Sequence, residues 1–356
     1  MGGNSAKASS GINAVGTKAQ KENHIDDSIP IFENDVMKSG QGIANEVLVN
    51  HLVENSAAAV SFLEDLGINL DLLSQCGGHQ YPRTHRSKPD PNAKFQKNIG
   101  SIITGTLEKN LREHPNVKVF LSSPVTKILQ RGDGSVRGVQ VNGSLEFEAS
   151  TVILASGGYG RDPRLLQEFR EEYKDLPSTN GNWTTGDGVH LAREISAAIV
   201  GMEHVQVHPT GIIDPSAPYL KNKFLAAEAI RAGGAILINQ NGQRFVNELG
   251  LRDQVTEAIF NSCEELQGSR GQVHAFMVLN QHVIESFGSK IMSFYQHKGF
   301  LRKFENGKDL ADSLGISYSN FELTMAVYNR ARDSGAVDEF GKDRFPCEFD
   351  LSEEIY

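Results

Sequence analysis

The sequence predicts a mixed α/β chain in two parts: an α/β part with a small antiparallel insertion, and an α+β part laid over it. Three observations predict it. Apolar residues recur at helical spacing from about Gln41 to Asp65 and again from Ile99 to Leu111. Short alternating runs between Val117 and Phe147 are punctuated by Asp133-Gly134 and Asn142-Gly143, dipeptides that favour hairpin turns. A continuous apolar run, Thr151–Ala155, then ends in Ser156-Gly157-Gly158, the pattern of a buried strand that delivers the backbone to a tight turn.

Taken in order, Val47, Leu48, Leu52, Val60 and Leu63 mark one face of a first helix, and Gly67 stops it. Ile99, Ile103, Leu107 and Leu111 repeat every four residues along a second helix. Val117–Leu121, Val125–Leu129, Val136–Val141 and Leu145–Phe147 read as the strands of a meander, with Thr151–Ala155 as the core strand after it. A helix from Asp187, carrying Val189, Leu191, Ala192 and Ile195, leads into a loop around His208. Beyond it Ala235–Ile238 reads as a strand, Asn239–Phe245 as a turn around Asn241-Gly242, and Val255–Cys263 and Glu322–Ala331 as helices. The charged stretch Arg302–Asp312 reads as solvated surface. The expected division is 1–201 for the first part and 202–346 for the second, with 347–356 turning back toward the first.

Composition narrows the partners. A chain of 356 residues with 39% apolar content can bury more than one core. The formal charge of −9 is spread without a basic block, which argues against nucleic acid or an anionic membrane surface as partner. Cys76, Cys263 and Cys347 are widely spaced and match neither a metal nor a disulfide pattern, so they read as reduced thiols of an intracellular protein. No apolar run approaches the length that spans a bilayer. His190, His204 and His274 read as structural, and no metal site follows from them.

The chemistry-bearing residues lie at loop-like junctions. His208-Pro209-Thr210, Ala227-Glu228-Ala229-Ile230-Arg231 and Arg252-Asp253 bring an imidazole, a carboxylate and two guanidiniums into a short span. A guanidinium is a rigid fork of donors that matches a carboxylate, and a Glu beside it can pass protons. The same inventory fits a structural ion-pair network, with Glu228 and Arg231 as an ordinary i,i+3 surface pair. At the other end, Met1–Ala14 is rich in Gly and Ser. Such a segment brings backbone N–H groups and hydroxyls close to a phosphate, and it equally suits a flexible terminus.

These motifs together resemble the fumarate reductase and succinate dehydrogenase flavoprotein family. Within it they resemble the soluble eukaryotic-type fumarate reductases, the NADH-dependent ones of trypanosomatids included. The resemblance rests on Gly2-Gly3-Asn4 through Gly11-Ile12-Asn13-Ala14, Gly77-Gly78-His79 with Pro82-Arg83-Thr84-His85, Ala155-Ser156-Gly157-Gly158, Thr185-Gly186-Asp187-Gly188, His208-Pro209-Thr210, and Asn247-Glu248 before Arg252-Asp253. One such cluster is weak; the set in order across nearly the whole chain is specific.

The resemblance implies a partial FAD-binding, Rossmann-like flavoprotein domain with an inserted β-meander, and an α+β capping domain. It implies reduction of fumarate to succinate, with a hydride from the flavin and a proton from Arg252, which Glu228 and Arg231 connect to solvent. His208 and Thr210 would bind the dicarboxylate, and Asn4, Ser5, Ser9, Ser10, Gly11, Val125 and Asp187 would bind FAD. Read without it, Asp187 fits a helix N-cap, Val125 a plain strand residue and His208 a loop residue; the roles of His79, Arg83 and His85 stay open.

Where covalent members carry a His, this chain has Asn4, so the expected FAD is non-covalent. Where bacterial soluble reductases carry a hydroxyl before the relay Glu, it has Ala227. The family's opening G-x-G-x-x-G unit does not precede Met1, and its closing His/Arg substrate segment does not precede Tyr356. The chain is therefore expected to be a central portion that alone binds FAD weakly and turns over little fumarate. Rival expectations are an aspartate or urocanate enzyme on the same scaffold, or a non-catalytic fragment. An electron-donor domain or protein is expected as partner, and mitochondrial, glycosomal and cytosolic locations are not distinguished.

Overall fold

The computed structural model describes residues 2–88, 97–269 and 271–356. The opening segment is ordered. Ile12–Asn13 pairs antiparallel with Thr84–Arg86, which pairs with Leu72–Ser74, so a three-stranded sheet ties the start of the chain to the Pro82–His85 loop. Gly11, at φ 140°, sits where an added Cβ would lie 2.4 Å from the His85 carbonyl oxygen, a contact that admits only glycine. The flexible-terminus reading is thereby overturned.

The expected first helix is two helices, Glu46–Glu54 and Ser56–Asp65. Asn55 breaks it, its side chain donating back to the His51 carbonyl at 2.7 Å. Val49, Val53, Val60 and Leu63 face inward, whereas Val47, Leu48 and Leu52 are exposed. Helical spacing identifies stripes, but two apolar stripes on one helix leave the buried one undetermined. Gly67 ends the second helix as expected, at φ 87°, with its N–H on the Glu64 carbonyl and that of Ile68 on the Leu63 carbonyl. The helix Ile99–Glu113 packs Ile99, Ile103 and Leu107 against Val60, Leu63, Ile68 and Leu70.

The meander is as read: Val125–Gln130, Val136–Val141 and Leu145–Glu148 form an antiparallel sheet in that order. Asn142 and Gly143 both take positive φ, 52° and 75°, at the turn. Two expected strands do not form. Val117–Leu121 contributes no ladder; Phe120 instead meets Phe147 edge to face, centroids 5.0 Å apart. Thr151–Ala155 pairs with no described strand, and Ile153 is 85% exposed. An apolar run becomes a strand only where a neighbour offers its N–H and C=O groups, and none does here. The expected turn at Ser156-Gly157-Gly158 is not formed there; Gly157 takes φ 85°, the Gly158 carbonyl accepts from Gly186 N–H at 3.1 Å, and the turn falls at Gly160–Arg161.

The main core lies in the second half. Ile236–Ile238 pairs antiparallel with Phe276–Val278 and is buried on both faces, which explains its unbroken Ile-Leu-Ile run. The helices Gln281–Phe287, Gly307–Leu314 and Tyr318–Ser334 pack around it, the last presenting Phe321, Met325 and Tyr328 at 4,3 spacing. Leu310 and Ala311, inside the stretch read as solvated surface, belong to this core. So do Cys347, Phe349, Ile355 and Tyr356, with the Tyr356 N–H on the Leu279 carbonyl. Cys347, Phe349, Ile355 and Tyr356 of the closing segment thus pack with the second part. None of the described helices is long and apolar enough to cross a membrane.

Candidate active site

Two helix beginnings meet at the centre of the site. Glu228 is the first residue of the helix Glu228–Ala232, entered from extended Ala227, and Arg252 is the first of Arg252–Ser262, entered from extended Leu251. Arg252 donates to Glu228 Oε2 from Nη2 at 2.9 Å and from Nε at 3.2 Å, and from Nη1 to Gln206 Oε1 at 2.8 Å. Burial would raise the Glu228 carboxyl, but the Arg252 charge and hydrogen bond outweigh it and hold the group below its ordinary value. The next residue, Asp253, accepts from the Gln41 side chain at 2.6 Å, so adjacent side chains reach in different directions.

Arg231, one turn after Glu228, is 1% exposed, which excludes a solvated surface pair. Its Nη1 donates to the Glu248 carbonyl at 2.5 Å, while Nε and Nη2 are buried without a hydrogen-bond partner. Among the described ion pairs, Glu228 is held by Arg252 and not by Arg231. Burial, offset in part by the Glu228 charge, leaves Arg231 below the usual guanidinium range.

His208 is set for one tautomer. The Thr210 backbone N–H, which can only donate, points at His208 Nδ1 from 3.3 Å, so Nδ1 is the acceptor and the neutral ring carries its proton on Nε2. Burial, with the Arg252 and Arg231 charges added, pushes the imidazole down to about 3. Thr210 itself is buried and its hydroxyl donates to the Ala226 carbonyl at 3.0 Å, so it supports His208 from behind. Gln206, His208, Thr210 and Arg252 line one cavity of about 830 Å³. Gln206 escaped the sequence reading. It lies two residues before His208 in the same segment outside any helix or strand, and no motif of the sequence marks it.

The opening segment reaches the rim of this cavity. Asn4 donates to Asn180 at 2.9 Å and Thr184 at 2.8 Å and accepts from Gly181 N–H at 2.9 Å, and Lys7 donates to the Thr179 carbonyl at 2.5 Å. Thr179 and Asn180 line the cavity. The Asn4 amide is therefore fully engaged within the chain, as a stitch between two loops. Gly100 lets the turn Ser5–Lys7 seat closely, since a Cβ there would lie 2.0 Å from the Ser5 carbonyl oxygen. Asp187 is the first residue of its helix rather than the cap, which is Gly186 in the left-handed region; its exposed carboxylate accepts from Thr185 at 2.7 Å. That helix packs against the strand that begins at half-exposed Val125, so these two residues share one region.

Two of the open residues, Arg83 and His85, take structural places, while His79 keeps a buried Nδ1 without a partner. Arg83, with no exposed surface, forks onto Asp27 at 2.9 Å twice and meets Asp35 at 2.8 Å. His85 bonds Thr17 at 2.7 Å and the Arg83 carbonyl at 2.8 Å.

A family model described as an FAD binding domain matches residues 1–348. The chain belongs to this FAD-binding family. It is 36% identical to a fumarate reductase of Schizosaccharomyces pombe over 97% of its own length and 67% of the relative's. It is 33% identical to an NADH:fumarate oxidoreductase of Klebsiella pneumoniae, over 96% of the chain and 35% of that protein. The open conformation of a flavocytochrome c3 fumarate reductase superposes with a TM-score of 0.68 at 33% identity, over 99% of this chain and 59% of that one. The chain thus spans about two thirds or less of the length of the relatives it matches.

The residues present fit the cofactor of this FAD-binding family. The segment Gly2–Gly11 has Gly2, Gly3 and Gly11 at positive φ, and no described residue engages the hydroxyls of Ser5, Ser9 or Ser10. Glycine-shaped backbone with free hydroxyl donors suits a phosphate or a ring edge. Gly157 and Gly158 add a second stretch that no other atom approaches within 4 Å of a would-be Cβ.

Proposed function

We propose that the protein reduces the carbon–carbon double bond of a small unsaturated dicarboxylate, fumarate to succinate, with Arg252 as proton donor. The observation that carries this reading is that Arg252, held by Glu228, lines one cavity with a neutral His208. FAD, when bound, supplies the hydride. His208 donates from Nε2 to a substrate carboxylate, and as a neutral donor it binds without fixing a second full charge. Polarised in this way, the alkene carbon accepts hydride more readily, an effect that grows as charge develops in the transition state.

The proton step needs an aligned guanidinium. Arginine is a very weak acid. The acceptor, a carbanion developing beside a carboxylate, is far more basic than water, so a held Arg252 can donate to it. Glu228 Oε2 lies within hydrogen-bond reach of two Arg252 nitrogens and returns a proton to it. Arg231, buried one turn further on, adds its positive charge to that of Arg252 near Glu228. We further infer that FAD is held non-covalently, since Asn4 offers no nucleophile. We infer a division into a flavin part, 1–201, and a capping part beginning near 202. An intracellular location and an NADH-linked donor, as in the name of the Klebsiella relative, complete the reading.

The test is a substrate panel on the FAD-loaded protein, with reduced viologen as electron source and fumarate, urocanate and iminoaspartate as acceptors. Fumarate turnover above the others is the expected result. No reduction of fumarate rejects the proposal.

A further inference from the structure

The motif Asn247-Glu248 takes no direct part in that chemistry, yet its carboxylate is among the most enclosed groups of the molecule. Glu248 has no exposed surface. Arg244 forks onto it at 2.9 and 3.0 Å, Lys342 reaches it at 2.7 Å, and the Leu237 N–H of the core strand points at it from 3.3 Å. Arg244 continues to Asp338 at 2.8 Å, and Asp338 accepts from the N–H groups of Phe340 and Lys342 at 2.9 Å each. Both cations lie against the Tyr328 ring. Two cations and two carboxylates form a closed, neutral quartet.

A buried quartet is a poor device for stability, because desolvating each ion removes most of what their attraction gains, and well-packed apolar side chains would do as well. What it provides is a fixed position. The Glu248 carbonyl is the acceptor for Arg231 Nη1. Four residues later the chain delivers Arg252, through a turn closed by Gly250 N–H to the Asn247 carbonyl at 2.9 Å and by Leu251 N–H to Gln254 at 3.1 Å. Both guanidiniums of the site therefore take their placement from Glu248, one through its carbonyl and one through its turn.

We propose that Glu248 is a positioning residue: the Arg244–Glu248–Lys342–Asp338 quartet holds Arg231 and the turn bearing Arg252 in register with Glu228. The proposal rests on the functional reading above. In the FAD-loaded protein, Glu248→Gln is expected to lower kcat for fumarate about 100-fold with KM changed less than about twofold, the pattern of a lost transition-state contact. It leaves two cations facing one carboxylate. The double variant E248Q/K342M restores neutrality and is expected to regain about tenfold of that kcat, a coupling that independent sites lack.

A readout that needs no substrate accompanies these. In protein labelled with ¹⁵N-arginine, exchange of the Arg231 Nε–H with solvent is expected to quicken at least about tenfold in E248Q, as a buried donor loses its protection. If the unaltered protein reduces no fumarate, the functional reading fails while this exchange still decides the role of Glu248. Unchanged exchange overturns the proposal. So does a lower melting temperature with kcat kept within about threefold, or failure of both variants to fold, since the quartet then serves stability alone.

Discussion

Glu228 Oε2 receives two nitrogens of Arg252, Nη2 at 2.9 Å and Nε at 3.2 Å, while the third, Nη1, is held by Gln206. The guanidinium is thus fixed in plane and direction at the edge of the cavity. Four expectations follow from this and the surrounding geometry.

Arg252→Gln keeps length and polarity but removes the donated proton. The kcat for fumarate should fall about 10³-fold, within the range for loss of a positioned acid, with FAD absorbance unchanged. Glu228→Gln should cost about 100-fold by disconnecting Arg252 from its proton source, again within the range for a positioned acid or base. Stopped-flow single turnovers measure both. Retention of more than about a tenth of the activity in Arg252→Gln removes it from the chemistry.

His208 sets a pH signature. Its folded value near 3 lies below the ordinary 6.5, so the unfolded chain binds a proton that the folded chain does not. Stability therefore rises with pH across the window from about 3 to 6.5, as the linkage relation requires. Melting temperatures between pH 4 and 7 should show this slope, and His208→Gln should flatten it. For the same reason the kcat profile should have no break near pH 6.5 that disappears with His208→Gln. Such a break would show that the ring works as a cation.

Gly100→Ala tests the opening segment. The added methyl would lie 2.0 Å from the Ser5 carbonyl oxygen and must push the turn Ser5–Lys7 outward. Flavin fluorescence titration should report at least about tenfold weaker FAD binding with the far-ultraviolet spectrum unchanged. Ser9→Ala with Ser10→Ala should give a similar loss, at about 1 kcal/mol per hydrogen bond. Unaltered affinity in both variants would place the cofactor elsewhere.

Arg83→Leu leaves Asp27 and Asp35 buried without a counter-charge. Breaking a buried pair in this way costs about 3–5 kcal/mol, and chemical denaturation should show it. Arg83→Lys recovers only part, because a point charge cannot reproduce the fork onto Asp27. A loss of less than about 1 kcal/mol in Arg83→Leu would mean that the buried pairs contribute little to stability.

Much of the site was legible because its chemistry needs particular side chains at particular junctions. Glu228 and Arg252 each open a helix and His208 lies in the loop segment before Thr210, and such junctions announce themselves by residue type. The turns at Asn142-Gly143 and Gly67 were legible for the same reason, since positive φ selects few residues. What stayed hidden depends on partners far along the chain. Whether Thr151–Ala155 becomes a strand is decided by a neighbour's backbone, and which stripe of Glu46–Glu54 is buried by the surface it meets. That Asn4 also stitches two loops, through Asn180, Gly181 and Thr184, depends on residues far along the chain. The burial of Ile355 and Tyr356 beside Leu279 depends on a fold-back that no local pattern encodes.

The neighbours Arg252 and Asp253 divide their partners, one taking Glu228 and the other Gln41 on the loop after the helix Ile29–Ser39. On the proposed function, a single helical turn is therefore both latch and acid. Were that turn to swing outward, the latch would release and the hydrogen donor would withdraw in one stroke. An ajar enzyme would be a silent one, with hydride transfer left without its companion whenever water had free entry.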